Sequence, residues 1–194
     1  MTKPALRPWW THGIPLNAVL LALVLAVSPA SAQTADGRSG GRGGPTPPEM
    51  LTGTVQAVDG DLLRFPQGTV RLVGIDAPDR GQKCVGGFGR VYDCHDAAVR
   101  ALRGAVQDRR VECVIVARDR NGQRIGRCGA PGAGDLSAFM VRSGWAFVFR
   151  SLGHDYAHLE AAAQSGRIGV WAGRAEPPWD YRSRKVGISG PSRS

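Results

Sequence analysis

Five charged residues of this sequence could do chemistry together, because they fall at the ends of predicted neighbouring strands. They are Asp59, Asp61, Arg71, Asp76 and Asp79. Hard cations such as Ca²⁺ bind several carboxylate oxygens at one point, and the planar guanidinium of an arginine matches a phosphate. The pattern therefore indicates a cation site beside a phosphate-binding arginine. The residues alone leave another interpretation open, in which each aspartate pair only stabilises a turn through its own backbone.

Three short strands must position these residues. Apolar and polar residues alternate over residues 51–57, which predicts a half-buried strand. Two further strands follow over residues 61–65 and 69–75, and a turn sequence with Gly precedes each of them. This meander places Asp61 at the start of the second strand and Asp76 at the end of the third.

The rest of the domain combines helices with one hairpin. Apolar residues recur at helical spacing over residues 95–106, which predicts a helix, and the hairpin has strands over residues 111–117 and 123–128. Asp135 and Asp155 are predicted to cap two further helices. Five strands in the order three, helix, two predict an α+β fold that is mainly β. We expect a five-stranded oligonucleotide-binding-type Greek-key barrel with about three helices.

The two ends of the chain predict processing and flexible segments around one domain. Residues 1–32 combine a basic start, a short apolar run and an Ala-Ser-Ala cleavage pattern, which is typical of a signal peptide; an uncleaved membrane anchor is the alternative. Residues 33–48 are a Gly/Pro-rich flexible linker, residues 49–180 form the domain, and residues 181–194 are a basic tail that we expect to be mobile. The protein is expected to be periplasmic or secreted, without a membrane contact after cleavage.

The overall composition favours a basic globular domain with an anionic partner. A chain of 194 residues and 20.6 kDa has room for one domain rather than two. Hydrophobic residues make up 42% and charged residues 21%, which excludes a wholly disordered chain and a polytopic membrane protein. The net charge of +9 favours nucleic acid or another polyanion. Six arginines crowd the predicted hairpin, either as a nucleic-acid track or as a solvated edge: Arg109, Arg110, Arg118, Arg120, Arg124 and Arg127.

The four cysteines form an even set, which in an exported chain predicts two disulfides. Cys113 and Cys128 flank the predicted hairpin turn and would lie roughly opposite each other. Cys84 and Cys94 close a Gly-rich loop. We therefore expect Cys84–Cys94 and Cys113–Cys128, although a zinc site is an alternative that the spacing favours less, because there is no Cys-x2-Cys pair.

Five sequence blocks, in this order along the chain, resemble the staphylococcal nuclease (thermonuclease) family. They are VDGDLLR at residues 58–64, RLVGIDAPD at 71–79, DRNGQ at 119–123, GWA at 144–146 and GVWAG at 169–173. The blocks extend over most of the predicted domain. The resemblance implies an oligonucleotide-binding barrel that hydrolyses DNA and RNA with one calcium ion.

The resemblance also implies a role for each matching residue. Asp61 and Asp76 match the calcium-binding carboxylates of the family, and the backbone carbonyl of Ala77 matches its neutral ligand. Arg71 matches the first phosphate-clamping arginine. Asp79 falls where the family has the glutamate that positions or deprotonates the attacking water.

Two positions depart from the family pattern. Asp79 is one methylene shorter than the glutamate, and misplacing a positioned water costs rate. Gln123 falls at the second arginine and cannot supply its charge; Arg124 is a possible substitute, but side chains alternate between the faces of a strand. The sequence predicts weakened calcium-dependent hydrolysis of DNA or RNA, acting on single strands as a monomer. The alternative is a catalytically inactive barrel that binds nucleic acid or protein in the periplasm.

Overall fold

Short strands dominate the domain in residues 47–150 and 155–187, which the computed structural model describes. The strands are β1 Met50–Gly53, β2 Gln56–Asp59, β3 Leu62–Phe65, β4 Gly68–Leu72, β5 Ile75–Asp76, β6 Lys83–Val85, β7 Val91–Asp93, β8 Val111–Arg118, β9 Arg124–Ala130, β10 Gly134–Asp135 and β11 Phe147–Val148. The α-helices are α1 Cys94–Val106, α2 Leu136–Arg142, α3 Ala157–Ser165 and α4 Pro178–Lys185, and a 3₁₀ turn spans Gly169–Ala172.

Seven of these strands form the main sheet, in the order β1-β8-β9-β4-β3-β2 with β10 paired to β9. Its pairs are antiparallel except β4 with β9, which is parallel. The sheet curls into a half-barrel, which confirms the mainly β fold. It has seven strands rather than the predicted five, because residues 51–57 divide between β1 and β2 and β10 is added. β1 pairs with β8 whereas β2 pairs with β3, so the two halves of the predicted strand join opposite ends of the sheet.

The first two helices agree with the sequence pattern. The Asp93 side chain caps α1 by accepting a hydrogen bond from the Asp96 backbone N–H. The predicted apolar stripe of α1 is buried: Ala98, Val99, Leu102, Ala105 and Val106. Asp135 caps α2 as predicted, with the Ala138 N–H 3.0 Å from its Oδ1. Both caps satisfy backbone donors that the first helical turn would otherwise leave unpaired.

The later helices differ from the prediction. Asp155 does not cap α3, whose N-cap residue is Tyr156; its carboxylate instead accepts a hydrogen bond from Arg127 at 3.1 Å. A fourth helix, α4, includes residues 181–185, which the sequence pattern assigned to a mobile tail. Pro178 begins this helix, at a position where the missing N–H of proline costs nothing. The Pro177-Pro178 pair is therefore a local sequence signal for the start of this helix.

The core is held together by apolar packing and by two disulfides. The larger apolar cluster fills the space between the curled sheet, α1 and α2, with Leu63, Leu102 and Met140 fully buried. A smaller cluster surrounds Phe147 and Val170 and includes the disulfide between Cys84 and Cys94. The second disulfide joins Cys113 to Cys128, which lie opposite each other on β8 and β9. Both predicted disulfides are confirmed.

Several sequence predictions lie outside the described part of the chain. These are the signal peptide, the linker up to residue 46 and the last part of the tail, residues 188–194. None of the helices within residues 47–150 and 155–187 combines the length and the apolar character that a membrane span requires.

Candidate active site

Adjacent strands bring Asp61 and Arg71 together. Asp61 directly precedes β3, and Arg71 lies on β4 opposite Leu62 in the antiparallel register. The backbone carbonyl of Asp61 accepts a hydrogen bond from the Leu72 N–H at 2.8 Å, which holds the turn against β4. The carboxylate of Asp61 is buried and accepts a hydrogen bond from Arg71 Nη1 at 2.6 Å. The Arg71 side chain remains 41% exposed, so this guanidinium can also meet a ligand.

Asp76 lies on a second small sheet, and Asp79 lies in the loop that follows it. Asp76 ends β5, which pairs with β11 through Asp76 and Phe147. Three residues later, the backbone N–H of Asp79 donates to Gln82 Oε1 at 3.0 Å. Gln82 is fully buried and thereby fixes the loop that follows β5. The two aspartates are consequently placed by strand pairing and by one buried amide.

Asp76 and Asp79 share one arginine, Arg182 of α4. Arg182 Nη2 donates to Asp76 Oδ2 at 2.5 Å, and its Nη1 donates to Asp79 Oδ2 at 2.9 Å and to Asp76 Oδ1 at 3.3 Å. The Arg182 side chain is 46% exposed. No local pattern pointed to this residue, because it lies in the segment interpreted as a tail, 106 positions after Asp76.

These residues line one cavity of about 650 Å³. Its polar lining consists of four aspartates and four arginines: Asp61, Asp76, Asp79, Asp119, Arg71, Arg118, Arg120 and Arg182. Its apolar lining consists of Leu72, Ile75, Ala117, Ile125 and Phe149. The two predicted turns therefore do converge, and their carboxylates face a space large enough for a phosphodiester and its flanking groups.

Burial makes it costly for Asp61 and Asp76 to carry their negative charge. Desolvation raises the pKa of Asp61 to about 6, although Arg71 partly opposes the shift. Desolvation also raises the pKa of Asp76, and the hydrogen bond from Arg182 opposes this. Repulsion between like charges adds to both shifts, because Asp76 raises the pKa of Asp61 and Asp79 raises the pKa of Asp76. Ionising both groups in this cavity therefore costs free energy that a nearby cation would offset.

This donor set fits a hard divalent cation. Carboxylate oxygens are the ligands that calcium prefers, and Asp61 and Asp76 both face the cavity with elevated pKa values. Ala77, whose carbonyl was the predicted neutral ligand, is buried beside Asp76. The chemistry of the residues present thus agrees with the predicted ion, and Asp61, Asp76 and Ala77 are the groups that would hold it.

Asp59, the remaining predicted carboxylate, has a different partner. Its Oδ1 lies 2.6 Å from Nε2 of His95, a buried residue of α1. The other ring nitrogen, Nδ1, lies 3.1 Å from Asp96 Oδ1. His95 thereby ties the turn that precedes Asp61 to the start of α1. Sequence analysis gave His95 no role, since only the tertiary structure shows its contact with Asp59.

Gly60, in the turn between β2 and β3, lies close to Ala77 and to helix α1. A methyl group added at Gly60 would lie 2.6 Å from the Ala77 Cβ and 2.8 Å from the Ala98 Cβ, closer than carbon atoms pack. We expect Gly60→Ala to lower the free energy of unfolding by ~1–3 kcal/mol through overpacking, as measured by urea denaturation. The control is Gly104→Ala in α1, where an added methyl meets open space. Equal stability of the two variants would contradict this account of the turn.

Gln123 and its neighbour Arg124 line a groove beside the cavity. Gln123 donates from Nε2 to the backbone carbonyls of Thr69 and Arg124, and its Oε1 accepts from the Thr69 hydroxyl at 2.9 Å. Arg124 donates to Glu49 Oε1 at 2.7 Å and to the Gln67 carbonyl. Both side chains line a groove that shares Arg71 with the cavity, whereas Asp61, Asp76 and Asp79 lie outside that groove. Arg124 therefore does not take the place of the missing arginine in the structure.

Only part of the arginine-rich hairpin reaches the cavity. Arg118 and Arg120 line it. Arg118 also pairs with Glu49 at 2.7 Å. Arg109 turns away and donates to carbonyls at the end of α1, and Arg127 donates to Asp135, Asp155 and Tyr156. The hairpin thus combines cavity-lining arginines with others that stabilise the fold.

Comparisons with known proteins agree with this geometry. The family model for staphylococcal nuclease homologues matches residues 69–173, more than half of the chain. The matched region includes Arg71 on β4, Asp76 on β5, Asp79 in the loop that follows, and the hairpin.

Three relatives are each 30% identical to this chain. The match to the succinoglycan biosynthesis protein ExoI of Rhizobium meliloti extends over 132 residues, 66% of this chain and 68% of that protein. An uncharacterized endonuclease of Escherichia coli O157:H7 matches over 138 residues, 68% of this chain and 84% of the relative. The probable staphylococcal-like nuclease CAN1 of Oryza sativa subsp. japonica matches over 119 residues, 60% of this chain and 33% of the plant protein. Taken with the family model, these matches show that the chain belongs to the staphylococcal nuclease homologue family.

Proposed function

We propose that this domain hydrolyses phosphodiester bonds in DNA or RNA with the help of one calcium ion. The observation that carries the proposal is the single cavity in which Asp61, Asp76 and Asp79 face Arg71. The relatives named as an endonuclease and a nuclease support nucleic acid as the substrate. The net charge of +9 supports a polyanionic partner as well.

Five residues at the cavity would take part in this reaction. Asp61, Asp76 and the carbonyl of Ala77 would hold calcium, which supplies positive charge to the phosphate when it is bound. Arg71 already points into the cavity and presents further N–H donors to a phosphate oxygen. Asp79 is the carboxylate that can accept a proton from water, once Arg182 no longer occupies it.

The hydrolysis consumes one water molecule. The water oxygen forms a bond to phosphorus, one phosphorus–oxygen ester bond breaks, and a proton is transferred to the leaving oxygen. Asp79 receives the proton that the attacking water releases, and the arginines stabilise the charge that develops on the phosphate oxygens. Because Asp79 is shorter than glutamate and Gln123 carries no charge, we expect turnover to be slower than a complete site would allow.

The second candidate function is a binding module without turnover. The specific observation that favours it is Gln123, whose amide is committed to Thr69 and leaves no charge at the second-arginine position. In that case the basic hairpin would bind single-stranded nucleic acid or a protein. The two candidate functions predict different results, because calcium produces cleavage of nucleic acid only if the domain is catalytic.

One assay separates the two candidates. The purified chain is incubated with a labelled single-stranded DNA or RNA oligonucleotide, in calcium or in chelator, and the products are separated by size. We expect cleavage in calcium only, and we expect Asp61→Asn to reduce its rate by roughly 10²-fold, because the cation site loses a charged ligand. Asp180→Asn, an exposed carboxylate on α4, is the matched control and should cleave like the wild type. Salt-sensitive binding without cleavage in either condition would instead support the module.

We propose that the protein acts as a monomer in the periplasm or outside the cell. The signal-peptide pattern of residues 1–32 supports export. The two disulfides support the same compartment, since such bonds persist where the environment is oxidising. Fractionation of cells that express the tagged chain tests the location directly.

A further inference from the structure

Arg182 differs from the other cavity-lining arginines because it forms hydrogen bonds with both Asp76 and Asp79. Its two terminal nitrogens make three contacts with Asp76 and Asp79, between 2.5 and 3.3 Å. Almost half of the side chain remains exposed and it lines the cavity, so the guanidinium can contact a ligand there.

The position of Arg182 depends on a buried anchor. Gln82, fully buried, donates from Nε2 to the Glu176 carbonyl at 2.6 Å while its Oε1 accepts from the Asp79 N–H. One amide therefore connects the Asp79 loop to the segment that leads into α4. On the same helix, Trp179 packs against Phe147 and Phe149, with ring centroids 6.1 and 5.9 Å apart. These contacts hold the start of α4 beside the cavity.

Arg118 and Arg124, two other arginines near the cavity, are paired with groups on or beside the hairpin. Arg118 is paired with Glu49 and the Gly122 carbonyl on the hairpin. Arg124 is paired with the same glutamate and lines the neighbouring groove. Gln123 carries no charge. Arg182 is the cavity-lining arginine whose guanidinium touches both Asp76 and Asp79 in the described residues.

We propose that Arg182 supplies, from the C-terminal helix, the second arginine that contacts the reacting phosphate, in place of Gln123. This inference rests on the proposed nuclease function. Before substrate binds, Arg182 neutralises Asp76 and Asp79. When the phosphate enters, the guanidinium exchanges a carboxylate partner for a phosphate oxygen, which its planar pair of donors fits equally well. The exchange also releases Asp79 to accept a proton from water.

The test compares Arg182→Ala with Arg184→Ala, a variant two residues along the same helix. Arg184 pairs with Glu176 and lies outside the cavity lining, so it controls for loss of charge and for any loosening of α4. We expect Arg182→Ala to lower the rate of calcium-dependent cleavage by about 10²-fold, while Arg184→Ala stays within about twofold of the wild type. Arg182→Lys keeps the charge but not the fork and should recover only part of the rate.

A second measurement does not depend on turnover. Binding of a single-stranded oligonucleotide is measured in chelator by fluorescence anisotropy at several salt concentrations. The Arg182→Ala variant should bind the oligonucleotide more weakly, because it loses one phosphate contact. The slope of log affinity against log salt should then fall by about 0.7. Thermal melting should show that the variant is folded. If the wild type does not cleave in calcium, the nuclease proposal fails, but weaker binding by Arg182→Ala still supports the phosphate contact.

Two results would overturn the assignment of Arg182. One is cleavage by Arg182→Ala as fast as the wild type or faster, because the arginine would then only block the carboxylates. The other is unchanged oligonucleotide affinity and salt dependence in a folded Arg182→Ala protein. Equal losses in Arg182→Ala and Arg184→Ala would also count against it, because they would indicate a general effect of the helix.

Discussion

Replacing Arg71 with alanine is expected to reduce the rate of calcium-dependent cleavage by roughly 10³-fold, the largest loss of activity that we predict for a single residue. A dedicated arginine contributes an effect of this order to phosphoryl transfer, because it stabilises charge that develops on the phosphate oxygens. Arg71 is placed for this task by β4, and its contact with Asp61 at 2.6 Å orients the guanidinium. Single-turnover cleavage of a labelled oligonucleotide measures the effect without interference from product release.

The controls separate this catalytic effect from a general change in charge or stability. Arg64→Ala removes an exposed arginine from the neighbouring strand β3, outside the cavity lining, and should cleave at close to the wild-type rate. Arg71→Lys keeps a positive charge but loses the paired donors, so it should remain well below the wild type. Folding of each variant is checked by its melting temperature. Cleavage by a folded Arg71→Ala within about threefold of the wild type would rule out Arg71 as the phosphate clamp.

Removing the disulfide between Cys113 and Cys128 should cause the largest loss of stability, about 3 kcal/mol in the free energy of unfolding. The bond closes a loop with a sequence separation of 15 residues, and a cross-link of that length lowers the entropy of the unfolded chain by about this amount. Both cysteines are buried within the main sheet, at directly opposed positions on β8 and β9. The double variant Cys113→Ala, Cys128→Ala therefore also loses packing in the core.

Urea denaturation of the wild type and the double variant measures this difference under non-reducing conditions. Reducing the wild type should lower its stability, because the cross-links are then absent from both the folded and the unfolded states. Adding the same reductant to the double variant should have a smaller effect, since only the bond between Cys84 and Cys94 remains. If the oxidised wild type and the double variant unfold at the same urea concentration, the disulfide does not stabilise the domain.

These two predictions test different contributions to activity, one electrostatic and one structural. Arg71 acts on the charge of the reacting group, whereas the disulfide acts on the hairpin that carries Arg118 and Arg120 to the cavity. The double variant should consequently retain cleavage under conditions where it remains folded. A loss of activity in a folded double variant would show that the hairpin must be rigid for the site to work.

Much of the domain could be predicted from local patterns in the sequence. The stripe of apolar residues in α1 and the Asp135 cap of α2 depend on contacts within one turn of helix, which spacing alone reveals. The cysteine pair across the hairpin could be predicted as well, since two strands joined by a short turn must lie side by side. The convergence of Asp61 and Arg71 followed from the same meander, because the two residues belong to adjacent strands.

The tertiary structure alone decided which partners the polar side chains in and around the cavity have. Asp59 contacts His95, Gln123 is hydrogen-bonded to Thr69, and Arg182 pairs with Asp76, more than a hundred residues earlier in the chain. No periodicity or turn sequence indicates such contacts, since each depends on how elements far apart in the chain pack together. Local propensity determines where a strand or helix begins, but charges that meet across the fold are set by burial, which makes an unpaired carboxylate costly and draws the nearest guanidinium to it.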